Sequence, residues 1–237
     1  MRRGKPRDLK RLAPMKRVLI TGANRGLGLE FARQYRAAGA EVIGTCRRAD
    51  AGNALRETGA EVIALDVADG EAMDQLAATF AKRPLDIVIC NAGVAGARAN
   101  VAQPVTASDF DLVMRTNVFG PMRLVAAIAP RMANPSAIAV ISSRMGSIGG
   151  MGNGGYALYR ASKAAVNAVT KASALEFAPR GVAVLALHPG WVRTDMGGAD
   201  ADIDALTSVR GMRKVVDQAS ARESGRFFDY TGAELPW

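Results

Sequence analysis

The chain has 237 residues, 49% of them hydrophobic, which is near the upper limit of what one hydrophobic core supports and too apolar for a disordered chain. No apolar run reaches the roughly 18 residues that span a bilayer, so the reading is a cytoplasmic protein with no membrane contact. Of the net charge of +9, residues 1–17 hold +7 and the remaining 220 residues only +2, and a nearly neutral body gives no reason to expect a nucleic-acid partner.

Residues 1–14 form a basic arm that is expected to be disordered. It reads as a solvated extension ahead of a start at Met15, with polyanion binding or targeting as the alternatives; it lacks the apolar stretch of a secretory signal. A single domain is expected over 15–237. Its first strand, 17–21, runs straight into Thr21-Gly22-Ala23-Asn24-Arg25-Gly26-Leu27-Gly28, and a helix follows over 27–38. Gly22 permits a tight turn, Gly26 lets the backbone come close to a diphosphate, and Gly28 lets the helix pack near the strand. Phosphates then rest on unpaired amides at the positive end of the helix dipole.

The second strand, 41–45, ends in Thr45-Cys46-Arg47-Arg48 with no acidic residue. A third strand over 61–66 and a helix over 71–82 precede a fourth strand over 86–91. A long helix is expected over 108–132 with Ser108 as its cap, then a strand over 137–142 and a helix over 156–179. The last elements are a strand over 182–188, a helix over 203–219 and a short strand near 226–229. Most strand segments are continuous apolar runs, which means burial on both faces. The alternation of strands and helices predicts a single-domain α/β fold, a doubly wound parallel sheet with helices on both faces. In such sheets ligands bind beyond the carboxyl ends of the strands. Cys46 and Cys90 are too far apart for a metal or disulfide framework, and the lone His188 excludes a multi-histidine metal site.

Tyr159 and Lys163 lie four apart at the start of a predicted helix and share one face. At about 4–5 Å and an effective dielectric near 20, a lysine favours the phenolate by roughly 3–4 kcal/mol, enough to lower a phenol that starts near 10 by about 2–3.

The glycine spacing of four then two resembles that of the short-chain dehydrogenase/reductase family, whose fold is Rossmann-like. Further motifs in register with that family are Asp66-Val67, Asn91-Ala92-Gly93, Asn117, Ile141-Ser142-Ser143, Tyr159-Arg160-Ala161-Ser162-Lys163 and His188-Pro189-Gly190 with Thr194. The stretch from His188 to Gly198, and the ending Tyr230-Thr231-Gly232 through Trp237, resemble its sniffer-type carbonyl reductases and bacterial C-factor-like proteins. The resemblance implies an NADP(H)-dependent enzyme acting on a small carbonyl or alcohol. It makes Tyr159 the proton donor, Lys163 the holder of the nicotinamide ribose, Ser143 the partner of the substrate oxygen and Asn117 the support of a water relay. The cofactor set it implies is Gly22, Asn24, Arg25, Gly26, Leu27, Gly28, Arg47, Asp66, Val67, Asn91, Ala92, Gly93, Tyr159, Lys163, Pro189, Gly190, Val192 and Thr194. Arg25 and Arg47 would meet the adenosine 2′-phosphate of NADP. Each such bond contributes roughly 1.5–3 kcal/mol.

The gap from Ser143 to Tyr159 is about three residues longer than most of the family has. The glycine-rich stretch 149–155 is expected to absorb it as a loop over the site. Ser147 is therefore a rival for the serine role, and Ser142 a lesser one. His188 reads as structural. The segment from 191 to 207 is expected to line the substrate pocket, its glycines and aspartates suggesting mobility. An NADP-binding sensor or signalling protein with little turnover is the alternative function, and the resemblance makes the helices 108–132 and 156–179 the surface of a homodimer or homotetramer, with a monomer, as in part of the carbonyl-reductase branch, as the alternative.

Overall fold

Val18, Leu19 and Ile20 are all fully buried. Successive side chains of a strand point to opposite faces, so this strand has to be covered on both sides. The computed structural model, which describes residues 15–97 and 99–237, shows how; the basic arm of residues 1–14 lies outside the described residues. Strands β1 (Arg17–Ile20), β2 (Glu41–Cys46), β3 (Glu61–Ala64), β4 (Leu85–Cys90), β5 (Met132–Ile141), β6 (Val182–His188) and β7 (Phe227–Asp229) form one sheet in the order β3-β2-β1-β4-β5-β6-β7. Every neighbouring pair is parallel.

On one face, α1 (Gly26–Ala37) and α7 (Ala205–Asp217) bring Phe31, Tyr35, Met212 and Val216 against Val18, Ile20, Ile87 and Ile89. On the other, α3 (Gly70–Thr79), α5 (Gly120–Ile128) and α6 (Ala157–Phe177) bring Met73, Leu76, Leu124 and Val166 against Leu19, Val88 and Ile138. The expected doubly wound sheet is what the chain forms. Because β1 lies between β2 and β4, the strand order reverses there, and a crevice opens outside the carboxyl ends.

Two local readings need correction. The helix expected over 108–132 is two helices, α4 (Ala107–Met114) and α5, joined by a π-helical turn over Arg115–Phe119. Pro121 has no N–H to give to the carbonyl four residues back, that of Asn117, so a regular ladder cannot run through this point. The cap of α4 is Thr106, not Ser108, its hydroxyl accepting from the Asp109 N–H at 3.1 Å. A short helix, α2 (Asn53–Arg56), was not expected at all.

Phe31 is fully buried between α1 and the sheet. Phe31→Ala should lower stability by about 3–5 kcal/mol in urea unfolding. Leu175→Ala, at a residue that is 70% exposed, should change it by less than about 0.5 kcal/mol.

Candidate active site

The chain leaves β1 through a turn in which Gly22 has φ +64°, a backbone conformation that strains any residue with a Cβ. The turn is braced from β4. The Asn91 side chain donates to the carbonyls of Thr21 and Gly22, both at 3.0 Å, and the Thr21 hydroxyl accepts the N–H groups of Asn91 and Ala92. A Cβ at Gly28 would lie 2.3 Å from the Gly22 carbonyl oxygen, so only glycine lets α1 start this close to β1. Arg25 caps α1 with extended backbone, and no side chain accepts from its first turn. The leading amides of a helix have no partner within it, and here they face the crevice beside the strand end. A dinucleotide diphosphate fits this cradle: glycine backbone on the near side, uncapped N–H groups and the positive dipole end facing it.

The other expected cofactor residues follow successive strands along the same sheet edge. Arg47 is exposed just past β2, and no ion-pair partner holds it among the described residues. Asp66 accepts the N–H of Ala68 at 2.9 Å, and Val67 is buried. Gly93 lies against Asn117 and Lys163, since a Cβ there would be 3.3 Å from Asn117 Oδ1 and 3.7 Å from Lys163 Nζ. Arg25 has a partner that the sequence did not show. Its Nη1 stands 2.5 Å from Asp195 Oδ2, so it is paired across the crevice with the segment that follows β6.

Tyr159 and Lys163 share the first turns of α6, as their spacing demands. The Ser143 hydroxyl stands beside the Tyr159 phenol and favours its ionised form, and Lys163 Nζ lies 5.6 Å from the centre of the Tyr159 ring. Lys163 is buried and donates to the Ile141 carbonyl at 2.9 Å, which anchors it on the last residue of β5. Asn117 sits in the π turn. Its side chain donates to the Val94 carbonyl and the Ser162 hydroxyl and accepts the Val94 N–H, tying the loop after β4 to α6. The proton affinities run against the sequence-based expectation. Burial pushes the Tyr159 phenol up to about 12, opposed by the nearby Ser143 hydroxyl, and burial lowers the Lys163 ammonium to about 8. Withdrawal from water outweighs the attraction of the ammonium.

Of the three candidate serines, the structure brings only Ser143 to the phenol. The Ser142 hydroxyl is buried and bonded to Asn167 Oδ1 at 2.5 Å. Ser147 is taken up by the chain terminus, donating to the Trp237 carbonyl while accepting the Gly150 N–H. The glycine-rich stretch 149–155 is fastened at both ends. Gly149 donates to the Trp237 carbonyl, and the Arg160 guanidinium donates to the Gly155 carbonyl at 2.7 Å, Asn153 Oδ1 at 2.8 Å and the Met145 carbonyl at 3.4 Å. Arg160 was missed from the sequence, where it stands merely beside Tyr159. Its burial on α6 could not be read from the helical period, because a charged residue there normally faces solvent.

Pro189, Gly190, Val192 and Thr194 follow β6. The Ser208 hydroxyl donates to the Pro189 carbonyl at 2.6 Å, Val192 bridges to Ile203, and Thr194 accepts the Gly197 N–H at 3.2 Å. The segment expected to be loose is held to itself: Arg193 donates to the carbonyls of Ala201 and Asp202, and Trp191 Nε1 to that of Gly197 at 2.8 Å. His188 Nδ1 is buried without a hydrogen-bond partner. Burial, with Arg144 adding to it and Asp229 opposing, lowers its pKa to about 4, so the ring is neutral near pH 7 and fits a structural role. Cys46 and Cys90 are buried free thiols. No helix among the described residues is long and apolar enough to cross a membrane.

The model of the short chain dehydrogenase family matches residues 16–203. The C-signal protein of Myxococcus xanthus is 42% identical over 156 residues, which are 65% of this chain and 93% of that protein. Carbonyl reductase Sniffer of D. melanogaster superposes with a TM-score of 0.86 at 30% identity, covering 94% of this chain and all (100%) of that one. The NADPH-bound carbonyl reductase from chicken fatty liver does so with a TM-score of 0.87 at 32% identity, over 95% of this chain and 100% of the other.

Proposed function

This chain belongs to the short chain dehydrogenase family, and from that premise we propose that it is an NADP(H)-dependent oxidoreductase acting on a carbonyl or alcohol, with Tyr159 as general acid and base. The observation that carries the reading is the convergence of the Tyr159 phenol, the Ser143 hydroxyl and the Lys163 ammonium at the sheet edge that also holds the glycine cradle. A bound nicotinamide would supply or take up the hydride. In reduction, Tyr159 gives its phenolic proton to the substrate oxygen, and the Ser143 hydroxyl donates a hydrogen bond to the same atom as negative charge builds there. Lys163, anchored on Ile141, holds the ribose and stabilises the phenolate that results. Asn117 fixes the loop on which Gly93 faces Lys163, which supports its role beside a water relay that returns the proton.

NADP is favoured over NAD by the absence of an acid at the end of β2, which would otherwise bond a ribose 2′-hydroxyl, and by the exposed cation Arg47 in that place. The NADPH-bound chicken carbonyl reductase supports the same choice. The substrate reads as small and apolar: Ile148 and Met151 on the loop after β5, and Trp191, Met196 and Leu206 after β6, are all exposed along the edge where it would enter. Exposed Phe110, Leu112, Phe119 and Met122 on α4, the π turn and α5 support a homodimer or homotetramer.

The test is consumption of NADPH against a panel of aldehydes, ketones and quinones, repeated with NADH. Turnover should favour NADPH by about a hundredfold in kcat/KM, and Arg47→Ala should cut that preference by about tenfold or more. Equal or better use of NADH would remove the cofactor assignment, and no NADPH oxidation with any carbonyl would remove the activity.

A further inference from the structure

Arg25 and Asp195 stand 170 positions apart in the chain and meet across the mouth of the crevice, Nη1 to Oδ2 at 2.5 Å. One belongs to the loop between β1 and α1, the other to the segment after β6. The two lips also approach beside the pair, where a Cβ at Gly26 would lie 3.6 Å from Thr194 Cγ2. Both side chains are well exposed, 68% and 76%, so neither is locked in place by packing. Arg25 also caps α1, which puts the pair at the edge of the phosphate cradle.

We infer that Asp195 is a specificity-determining residue for the cofactor: by holding Arg25 it competes with the 2′-phosphate of NADP for the guanidinium and lowers the preference for NADP over NAD. This inference rests on the reading above that Arg25 serves the 2′-phosphate. A carboxylate at contact distance cancels the charge that Arg25 would present to an incoming dianion, and the phosphate gains Arg25 only by displacing Asp195. An exposed pair of this kind is weak, worth no more than about 1 kcal/mol, or about fivefold, so the displacement is feasible and its removal is measurable. NAD carries a hydroxyl in place of that phosphate and has no claim on Arg25, so its affinity does not depend on Asp195. Arg47 has no such competitor among the described residues, and the two arginines of the NADP site therefore differ in how available they are.

The experiment is calorimetric titration of the full chain with NADPH and with NADH, without substrate, for the wild type, Asp195→Asn, Arg25→Ala and the double variant. Asp195→Asn should tighten NADPH by about three- to fivefold and leave NADH unchanged. Arg25→Ala should weaken NADPH by about tenfold, and adding Asp195→Asn to it should change nothing further. If Asp195→Asn weakens both cofactors alike, the pair is a clasp that retains any dinucleotide and the inference is overturned; if it changes neither, the inference is overturned as well. Should Arg25→Ala leave the NADPH-to-NADH ratio intact, the assignment of Arg25 to the 2′-phosphate falls and takes the inference with it. A normal response to Arg25→Ala without the expected response to Asp195→Asn defeats the inference alone. Unchanged melting temperatures in both single variants, which alter exposed side chains, confirm that binding and not folding is being read.

Discussion

Tyr159→Phe should lower kcat for carbonyl reduction on the order of 10³-fold while NADPH binding stays within about twofold. The substitution removes one oxygen and keeps the ring, so the first turns of α6 and the position of Lys163 are undisturbed. What disappears is the group that delivers the proton, together with its contact with the Ser143 hydroxyl. Ser143 cannot replace it as an acid, because an aliphatic hydroxyl holds its proton far more tightly than a phenol. The raised phenol pKa gives the pH dependence a definite sign. With burial placing it at about 12, the protonated form required for reduction persists through neutral and mildly alkaline pH, whereas the phenolate required for alcohol oxidation is scarce near pH 7. Oxidation should therefore gain rate as pH rises, by up to about tenfold per pH unit, and reduction should not lose rate through Tyr159 until far above pH 10. A Phe variant with normal turnover would sink the assigned role. A wild type with no turnover at all, but with tight NADPH binding, would favour the sensor reading instead.

How much of this was readable beforehand depended on how local the signal was. The sheet was legible because burial on both faces forces unbroken apolar runs such as Val18-Leu19-Ile20 and Ile87-Val88-Ile89, and no other element wants them at that length. The cradle was legible because three glycines at fixed spacing between a strand and a helix have a steric reason to be there. Gly28 shows it best, with no room for a single methyl beside the Gly22 carbonyl. That Tyr159 and Lys163 share a face needed only the period of a helix, whereas their roles came from the family resemblance alone. The broken helix 108–132 carried its signal in Pro121, but predicting a π turn requires knowing that tertiary contacts, here those of Asn117 with Val94 and Ser162, make the irregular turn worth keeping. Thr106 had the better capping frame, with Asp109 three residues on, yet Ser108, itself a capping residue followed by Asp109 and Asp111, offered a second start. Arg160 and Asp195 were illegible for a different reason. Their partners, Met145, Gly155 and Arg25, lie on other segments, and nothing in a sequence states which distant charge a flexible side chain will reach. The same holds for the proton affinities, where the expected pull of the lysine on the phenol was a pairwise estimate and the depth of burial that overrides it is a property of the whole fold.

Lys163→Met should separate stability from activity by moving them in opposite directions. Lys163 is buried, its ammonium donates to the Ile141 carbonyl, and burial lowers its pKa from the ordinary 10.5 to about 8. A base whose folded pKa is depressed binds fewer protons folded than unfolded between those two values, so its burden on stability is full below pH 8 and is relieved as pH rises toward 10.5. The size of that burden is about 3 kcal/mol. Methionine has nearly the same length and no charge to desolvate. It forfeits the bond to Ile141, a loss of about 1 kcal/mol, so the variant should be more stable than the wild type by about 2 kcal/mol at pH 7, and the advantage should vanish by about pH 10.5. Urea unfolding of both proteins at the two pH values measures this directly. Activity should go the other way, with kcat/KM for reduction falling on the order of 10³-fold, because the ammonium that holds the ribose and steadies the phenolate is gone. A lysine kept in so unfavourable a place, at the same end of the sheet as the glycine cradle, is understandable only if the charge is needed there. A Met variant that is both less stable at pH 7 and still active would show that Lys163 serves the fold and not the chemistry.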